Sequence, residues 1–173
     1  MVKNKKGYDR IYITGSSGAG KNWLAERLSE TFGISYYDLD DIAWIKKYTI
    51  KRDKKEKAKK VDEISRKKKW IICGAGNTYL GKMPDRSDMI IILRAHAARE
   101  MFRVLKRHIK KNMNGESSRL KTLINNFIYN YKDYHRPTGK SYQFLKKLGK
   151  KHSKKILILS KKGVGKYLKT LDK

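Results

Sequence analysis

The stretch RIYITGSSGAGKNWLAERL, residues 10–28, constrains the fold of this chain more than any other part of the sequence. It begins with a β-branched run typical of a buried strand and ends with an amphipathic helical pattern. Between the two, Gly15, Gly18 and Gly20 allow a tight turn that points backbone N–H groups inward, at the positive end of the following helix. Gly15, Gly20 and Lys21 have the Walker A spacing, which predicts a P-loop domain that binds a nucleoside triphosphate.

The predicted phosphate loop has one departure from this pattern. Its members are Gly15, Ser16, Ser17, Gly18, Ala19, Gly20, Lys21 and Asn22. Lys21 is expected to reach the β- and γ-phosphates, whereas Asn22 stands where Ser or Thr usually ligates Mg²⁺. An amide oxygen is also an ordinary ligand for a hard cation, so phosphate binding should survive the change. The departure instead predicts looser metal positioning and slower transfer.

Strand and helix patterns alternate along the chain, in the order of a parallel sheet covered by helices on both faces. Strands are predicted at 10–14, 34–37, 70–73, 89–93 and 155–159, and most are continuously apolar, as strands buried on both faces are. Helices are predicted at 21–32, 54–69, 97–113 and 119–134. With 173 residues and no visible linker or repeat, the sequence predicts one α/β domain over residues 1–173.

The charge of the chain is its unusual compositional feature. There are 44 Lys and Arg residues against 16 Asp and Glu residues, a formal net charge of +28. Such a field attracts polyanions and makes their binding dependent on salt. The excess is distributed over separate runs without an aromatic-rich RNA-binding signature, which favours a solubilising role. Association with nucleic acid through the basic surface is kept as a second hypothesis.

Segments that would direct the chain to a membrane are not visible in the sequence. The apolar runs are short compared with the ~20 residues of a membrane span, and no apolar h-region follows the basic N-terminus. The single cysteine, Cys73, excludes an internal disulfide. We therefore expect a cytoplasmic protein with no membrane contact, and the sequence leaves its oligomeric state open.

Five further segments follow the loop in a particular order: ISYYDLDDIAW, KWIICGAGN, SDMIIIL, RVLKR and FIYNYKDYHRP. With them the chain resembles, over nearly its whole length, the adenylate-kinase-related P-loop proteins called topology modulation proteins. The resemblance implies a three-layer, nucleoside-monophosphate-kinase-like α/β fold whose five-stranded parallel sheet has the order 2-3-1-4-5. It also implies ATP as phosphate donor, Mg²⁺ as its partner, and a helical lid at roughly residues 99–135.

The same resemblance assigns roles to individual residues. Asp40 matches an acidic residue that touches the acceptor or the metal in related small-molecule kinases. Arg103 and Arg107 match basic residues of the helix that supports the lid. Cys73 stands where these relatives usually have an Asp that holds Mg²⁺ through water. Because Asn22 and Cys73 both alter metal-assisting positions, the resemblance implies a kinase of reduced activity.

Three carboxylates, those of Asp38, Asp40 and Asp41, follow the second predicted strand. Ligands bind at the carboxyl ends of strands in open α/β sheets, so these groups should face the phosphate site. In an extended segment Asp38 and Asp40 would point the same way. We predict that Asp38 ligates the metal together with Asn22, and that Asp40 orients the acceptor. The alternative is that Asp40 or Asp41 caps the next helix.

Arginines recur every four residues at Arg99, Arg103 and Arg107, so they share one stripe of the predicted helix. Phosphoryl transfer spreads negative charge over the equatorial oxygens, which guanidinium groups neutralise. We predict that Arg103 and Arg107 act with Lys21 and Asp40 in catalysis. A solvated basic helix face is the alternative.

The predicted activity is transfer of the γ-phosphate of ATP to a small acceptor, a nucleotide being one candidate. The main alternative is a catalytically weak nucleotide-binding module associated with nucleic acid. A small ATPase or GTPase switch is a third hypothesis, weakened by the lack of a visible G-protein base motif or Walker B acid.

Overall fold

The computed structural model of the chain describes residues 7–46, 49–75, 78–94, 102 and 120–171. Five strands form one parallel sheet: β1 Arg10–Gly15, β2 Tyr36–Asp38, β5 Trp70–Cys73, β6 Met89–Leu93 and β7 Ile156–Leu159. Two shorter strands, β3 Trp44–Lys46 and β4 Ile50–Lys51, pair with each other as an antiparallel hairpin. The sheet order β2-β5-β1-β6-β7 is the predicted order 2-3-1-4-5 once the hairpin strands are set aside.

Helices connect and cover these strands. They are α1 Lys21–Phe32, α2 Leu39–Ala43, α3 Lys54–Ser65, α4 Met83–Arg86, α5 Leu120–His135, α6 Lys140–Lys151 and α7 Lys161–Leu171, with a 3₁₀ turn at Ser153–Lys155. In the described part of the chain, no helix is both long and apolar enough to span a bilayer.

Two apolar cores lie on opposite faces of the sheet, which confirms the three-layer α/β fold. On one face, Ile11, Ile13 and Ile91 pack with residues of α1 and α7. On the other, Tyr12 and Ile72 pack with residues of α2, α3 and α6. Alternate residues of each central strand thus enter different cores, and this explains why the strands are apolar throughout.

The helix after the phosphate loop begins and ends where the sequence predicts. Gly20 precedes it in a left-handed conformation, and Gly33 follows it with a φ of 67°. The N–H of Gly33 donates to the carbonyl oxygen of Ser29, which is the usual C-terminal arrangement at a glycine. The two glycines therefore fix both ends of α1.

Other predicted boundaries differ from the structure. The second strand covers Tyr36–Asp38 instead of 34–37. Helix α3 ends at Ser65 instead of 69, because the chain must turn after Ser65 to enter β5 at Trp70. The helix predicted at 119–134 is present as α5, whereas the one predicted at 97–113 lies outside the described residues. The sequence analysis did not predict α2, α4, α6, α7 or the hairpin. The single-domain extent and the lid boundaries stay predictions.

Candidate active site

The loop between β1 and α1 is held by glycines in conformations that other residues avoid. Gly15, Gly18 and Gly20 have φ angles of 145°, 78° and 96°. At Gly15 a Cβ atom would lie 2.4 Å from the carbonyl oxygen of Leu93 in the neighbouring strand β6. The loop thus needs glycine at this position for two reasons, the backbone angle and the close approach of β6.

Lys21 is the first residue of α1, and its side chain folds back over the loop. Its Nζ donates to the carbonyl oxygens of Gly15, at 3.0 Å, and Ser16, at 2.8 Å. The ammonium group therefore lies at the mouth of the loop and beside the positive end of the helix. Both features attract the terminal phosphates of a nucleotide.

The two unusual positions, Asn22 and Cys73, are in contact with each other. The thiol of Cys73 donates to Oδ1 of Asn22, with the two atoms 3.9 Å apart, and Nδ2 of Asn22 donates to Oδ2 of Asp38. Burial, with repulsion from Asp38 next, raises the pKa of Cys73 to about 12, so the thiol stays neutral and able to donate. Asn22 thereby links α1 to the carboxyl ends of β2 and β5.

Asp38 ends β2 and caps the short helix α2. Its Oδ1 accepts from the backbone N–H of Asp40 at 2.9 Å. The expectation that Asp38 and Asp40 share one face of an extended segment is therefore wrong, because α2 begins between them, at Leu39. The capping alternative named the wrong carboxylate, since Asp38 is the cap. Asp38 and Asp40 nevertheless both line the same cleft.

A cleft of about 730 Å³ runs from the phosphate loop to α2 on one side and to α7 on the other. The loop, α1, α2 and the strand ends contribute Ser17, Gly18, Ala19, Gly20, Lys21, Asn22, Trp23, Leu24, Asp38, Asp40, Gly74, Leu93 and Arg94. The end of β7 and the start of α7 contribute Leu159, Ser160, Lys161, Val164 and Gly165. Lys21, Arg94 and Lys161 are the cations of its described lining, and Asp38 and Asp40 are the carboxylates.

The wall formed by β7 and α7 was missed in the sequence analysis, as were Trp23, Arg94 and Gly74. The available signal was the segment SKKGVG, which directly follows an apolar strand at the carboxyl end of the sheet. For Trp23 the sequence offered only its position directly after the loop, and the structure shows its side chain 53% exposed at the cleft.

The other predicted site residues divide into those the structure describes and those it does not. Lys21, Asn22, Asp38 and Asp40 come together around the cleft. Arg103 and Arg107 lie outside the described residues, so their roles stay predictions. Within the residues described, no three His, Cys, Asp or Glu side chains converge as in a protein-built metal cage. The amide oxygen of Asn22 and the carboxylate of Asp38 do fit Mg²⁺, which usually takes one or two protein oxygens besides phosphate and water.

Known proteins resemble part of this chain in sequence. No model of a known protein family matches the chain. Over 84 residues the chain is 30% identical to the uncharacterized protein YqaC of Bacillus subtilis, covering 48% of this chain and 47% of YqaC. Over 114 residues it is 33% identical to a protein of Pyrococcus furiosus named "Putative adenylate kinase", covering 62% of this chain and 60% of that protein. The matches thus span about half the length of these curated relatives.

Solved structures share the fold at low sequence identity. A gluconokinase from Sinorhizobium meliloti has a TM-score of 0.54 and 12% identity, covering 94% of this chain and 90% of that one. A shikimate kinase from Acinetobacter baumannii, in complex with shikimate, has a TM-score of 0.51 and 15% identity, covering 95% and 91%. At these identities the likeness shows the fold alone.

Proposed function

We propose that this chain is an adenylate-kinase-related P-loop kinase that transfers the γ-phosphate of ATP to a hydroxyl group of a small acceptor. One observation carries the proposal. The glycine loop and Lys21 open into a cleft whose opposite end presents the carboxylate of Asp40. Phosphate binding and a hydroxyl-orienting group are thereby combined in one cavity, as phosphoryl transfer requires.

The donor would bind at the loop and along α7. Backbone N–H groups of residues 15–20 and the ammonium of Lys21 would hold the β- and γ-phosphates. The rest of the nucleotide would extend along Leu159 and Val164, with Arg94 and Lys161 close to its negative charge. This wall offers apolar surface for the base without a fixed hydrogen-bonding pattern, so it does not decide between ATP and GTP.

Asn22 and Asp38 would hold Mg²⁺ through side-chain oxygens, directly or through water. Bound Mg²⁺ supplies positive charge to the phosphate oxygens and orients them. The amide oxygen of Asn22 already accepts the Cys73 thiol, and its amide nitrogen engages Asp38. Because both groups have protein partners, we infer slower transfer than in kinases with a hydroxyl residue at this position.

The chemical step is an in-line displacement. The acceptor oxygen forms a bond to the γ-phosphorus while the bond from that phosphorus to the β–γ bridging oxygen breaks. ADP leaves with the electron pair of the broken bond, and the hydroxyl proton passes to the carboxylate of Asp40. Lys21 stabilises the charge that develops on the phosphates, and Arg103 and Arg107 are proposed to contribute from the lid.

The experiment that tests this function compares Asp40→Asn with Asp41→Asn. Both changes remove one carboxylate from α2, but Asp40 lines the cleft whereas the neighbouring Asp41 is exposed and not part of its described lining. Asp40→Asn should lower the Mg²⁺-dependent rate of ADP release about 100-fold, the lower range for a lost general base, with ATP affinity unchanged. Asp41→Asn should keep the parental rate.

Equal effects of the two substitutions would contradict the role of Asp40. A parent that binds ATP but never releases ADP, with or without added acceptor, would contradict phosphoryl transfer itself. Calorimetry and a coupled ADP assay provide both readouts.

A further inference from the structure

The chain segment between β2 and β6 contains arginines, but those that the structure describes there are engaged by the protein and do not line the cleft. Between β2 and β6 the described arginines are Arg52, Arg66 and Arg86. Arg52 Nε donates to Glu56 Oε1 at 3.0 Å, and its Nη1 donates to the carbonyl oxygens at the end of α2, including that of Ile42 at 3.2 Å. Arg52 therefore holds α2 and α3 together rather than facing the cleft.

The other two arginines are engaged around one carboxylate of α3. Arg86 Nη1 donates to Asp62 Oδ1 and to Ser65 Oγ, each at 2.6 Å. Arg66 Nε donates to Asp62 Oδ2 at 2.7 Å. Neither arginine lines the cleft, whose described cations lie at the loop and at the ends of β6 and β7.

Two tyrosines lie close to α2 and Asp40, although neither belongs to the described lining of the cleft. The hydroxyl of Tyr79 donates to the carbonyl oxygen of Leu39, in α2, at 3.3 Å. Burial, then the charges of Asp40 and Asp38, raise the pKa of Tyr79 to about 12. The phenol is therefore neutral at physiological pH, and its oxygen can still accept a hydrogen bond. Lys57 approaches this ring, with its Nζ 5.6 Å from the ring centroid.

A second phenol reaches the same neighbourhood from α5. Burial raises the pKa of Tyr134 to about 12, and the charge of Asp40 acts in the same direction. The Tyr134 hydroxyl is hydrogen-bonded with Ser141 and Thr14, and Thr14 immediately precedes the phosphate loop. The last helix of the predicted lid region thus ends close enough for Tyr134 to be influenced by the charge of Asp40.

We infer that the acceptor is an uncharged compound with several hydroxyl groups, of the sugar, polyol or nucleoside type, rather than a nucleoside monophosphate. This inference rests on the proposed function and narrows its acceptor. Carboxylates accept hydrogen bonds from hydroxyl groups, and phenols both donate and accept them. An acceptor phosphate beside Asp38 and Asp40 would meet like charge, while the described arginines nearby are already engaged.

The charge of the product favours its release from such a site. Transfer converts an uncharged hydroxyl compound and ATP into a phosphate monoester and ADP, with the hydroxyl proton moving to Asp40. The monoester carries new negative charge next to the remaining carboxylate of Asp38. Repulsion between them favours release of the product and disfavours its rebinding as a substrate.

The test uses pairs of acceptors that differ by one phosphate group: adenosine and AMP, cytidine and CMP, ribose and ribose 5-phosphate, glycerol and glycerol 3-phosphate. ADP formation above the acceptor-free rate is measured at fixed ATP and Mg²⁺. In at least one pair, the uncharged compound should react at least about tenfold faster than the phosphorylated compound. The rate assay readily resolves such a difference. Faster or equal transfer to the phosphorylated members would overturn the inference.

Failure of the inference is distinguishable from failure of the proposed function. Suppose that calorimetry shows ATP binding and that ATP is slowly hydrolysed to ADP with water as the acceptor. If none of these compounds then accelerates ADP formation, the assigned acceptor class is wrong. If the parent binds no ATP or releases no ADP under any condition, the proposed function fails instead.

A pair of Tyr→Phe variants tests the placement of Tyr79. Tyr79→Phe should raise the KM for the best uncharged acceptor about fivefold, with kcat and ATP affinity nearly unchanged, because it removes one hydrogen bond worth about 1 kcal/mol. Tyr167→Phe is the matched control, since the hydroxyl of the partly buried Tyr167 donates to the sulfur of Met89 at 3.6 Å, against the opposite core. Equal KM values in the two variants would overturn the placement of Tyr79 at the acceptor.

Discussion

The two ends of the cleft, which we propose to bind the phosphate donor and the acceptor, are constructed by different means. The donor end is mainly backbone, a loop whose glycines at positive φ bring N–H groups together, with Lys21 folded over it. The acceptor end is made of side chains, chiefly Asp38 and Asp40, on a helix of five residues. A backbone site tolerates few changes, whereas a side-chain site is respecified by single substitutions. The difference explains why the donor can be inferred from sequence and the acceptor cannot.

Between the two ends lies the contact of Asn22 with Asp38 and Cys73. This contact joins the first turn of the donor helix to the strand that leads into the acceptor helix. The two residues that depart from the expected metal-assisting types are therefore in direct contact, and we expect their effects to be coupled. A carboxylate at position 73 would face the amide oxygen of Asn22, and two acceptors cannot bond to each other.

The largest expected effect is at the donor end. Gly15→Ala places a Cβ 2.4 Å from the Leu93 carbonyl oxygen at a φ of 145°, so the loop must shift. We expect ATP binding to become undetectable and stability to fall by about 1–3 kcal/mol, the range for a strained backbone residue. Calorimetry and urea unfolding measure the two effects.

Gly165→Ala is the control for this prediction. Gly165 also lines the cleft, but a Cβ there meets nothing within 4 Å, and the residue lies within α7. Alanine should therefore stabilise the helix by about 0.5–1 kcal/mol. Comparable stability losses at both glycines would show that the donor end does not depend on its backbone geometry.

The next effect is at the junction of the two ends. Asn22→Ser together with Cys73→Asp should raise the rate of ADP release about tenfold, because the pair restores a hydroxyl ligand and a carboxylate. A tenfold increase corresponds to an activation barrier lowered by about 1.4 kcal/mol. Cys73→Asp alone should lower the rate and the stability, because the new carboxylate would be buried against an amide oxygen. Steady-state rates with Mg²⁺ titrated complete the double-mutant cycle.

Additive effects in that cycle would contradict the coupling of residues 22 and 73. A high rate of ADP release in the parent that neither substitution changes would show that other residues hold the metal.

The smallest effect concerns the basic surface. If the net charge of +28 is a general solubilising feature, binding to oligonucleotides should be weak, independent of sequence and nearly lost at about 0.2 M salt. Fluorescence anisotropy with and without ATP measures this. Tight oligonucleotide binding that persists in high salt or requires ATP would favour a nucleic-acid-associated module. It would also weaken the interpretation of the cleft as a donor end and an acceptor end.

The sequence predicted those elements whose ends are marked by glycines or that consist of continuous apolar runs. The bounds of α1, β5 and β6 are as predicted, because glycines delimit α1 and continuous apolar runs define the two strands. Helix α7 was missed because Gly163 and Gly165 favour a loop. There Gly163 N–H donates to Ser160 Oγ at 3.2 Å, and packing of Val164 into the core offsets the low helix propensity.

The acceptor end was harder to predict for a physical reason. A carboxylate after a strand can ligate a metal, orient a substrate or cap a helix, and the residue type is the same in each case. Only the position of Leu39 as the first residue of α2 shows that Asp38 is the cap. Contacts of Asn22 with residues 16 and 51 positions away are likewise invisible in the sequence.

Calorimetric titration of ATP into the parent, Lys21→Ala and Lys162→Ala tests the central claim most directly. Lys162 neighbours the cleft on α7, but it is exposed and does not belong to the described lining, so it controls for the loss of one positive charge. The parent and Lys162→Ala should bind ATP with a Kd of about 1–10 μM, and Lys21→Ala should bind roughly 100-fold more weakly, a difference of about 2.7 kcal/mol. If Lys21→Ala binds ATP as tightly as the parent, the loop is not the phosphate site and the account is wrong.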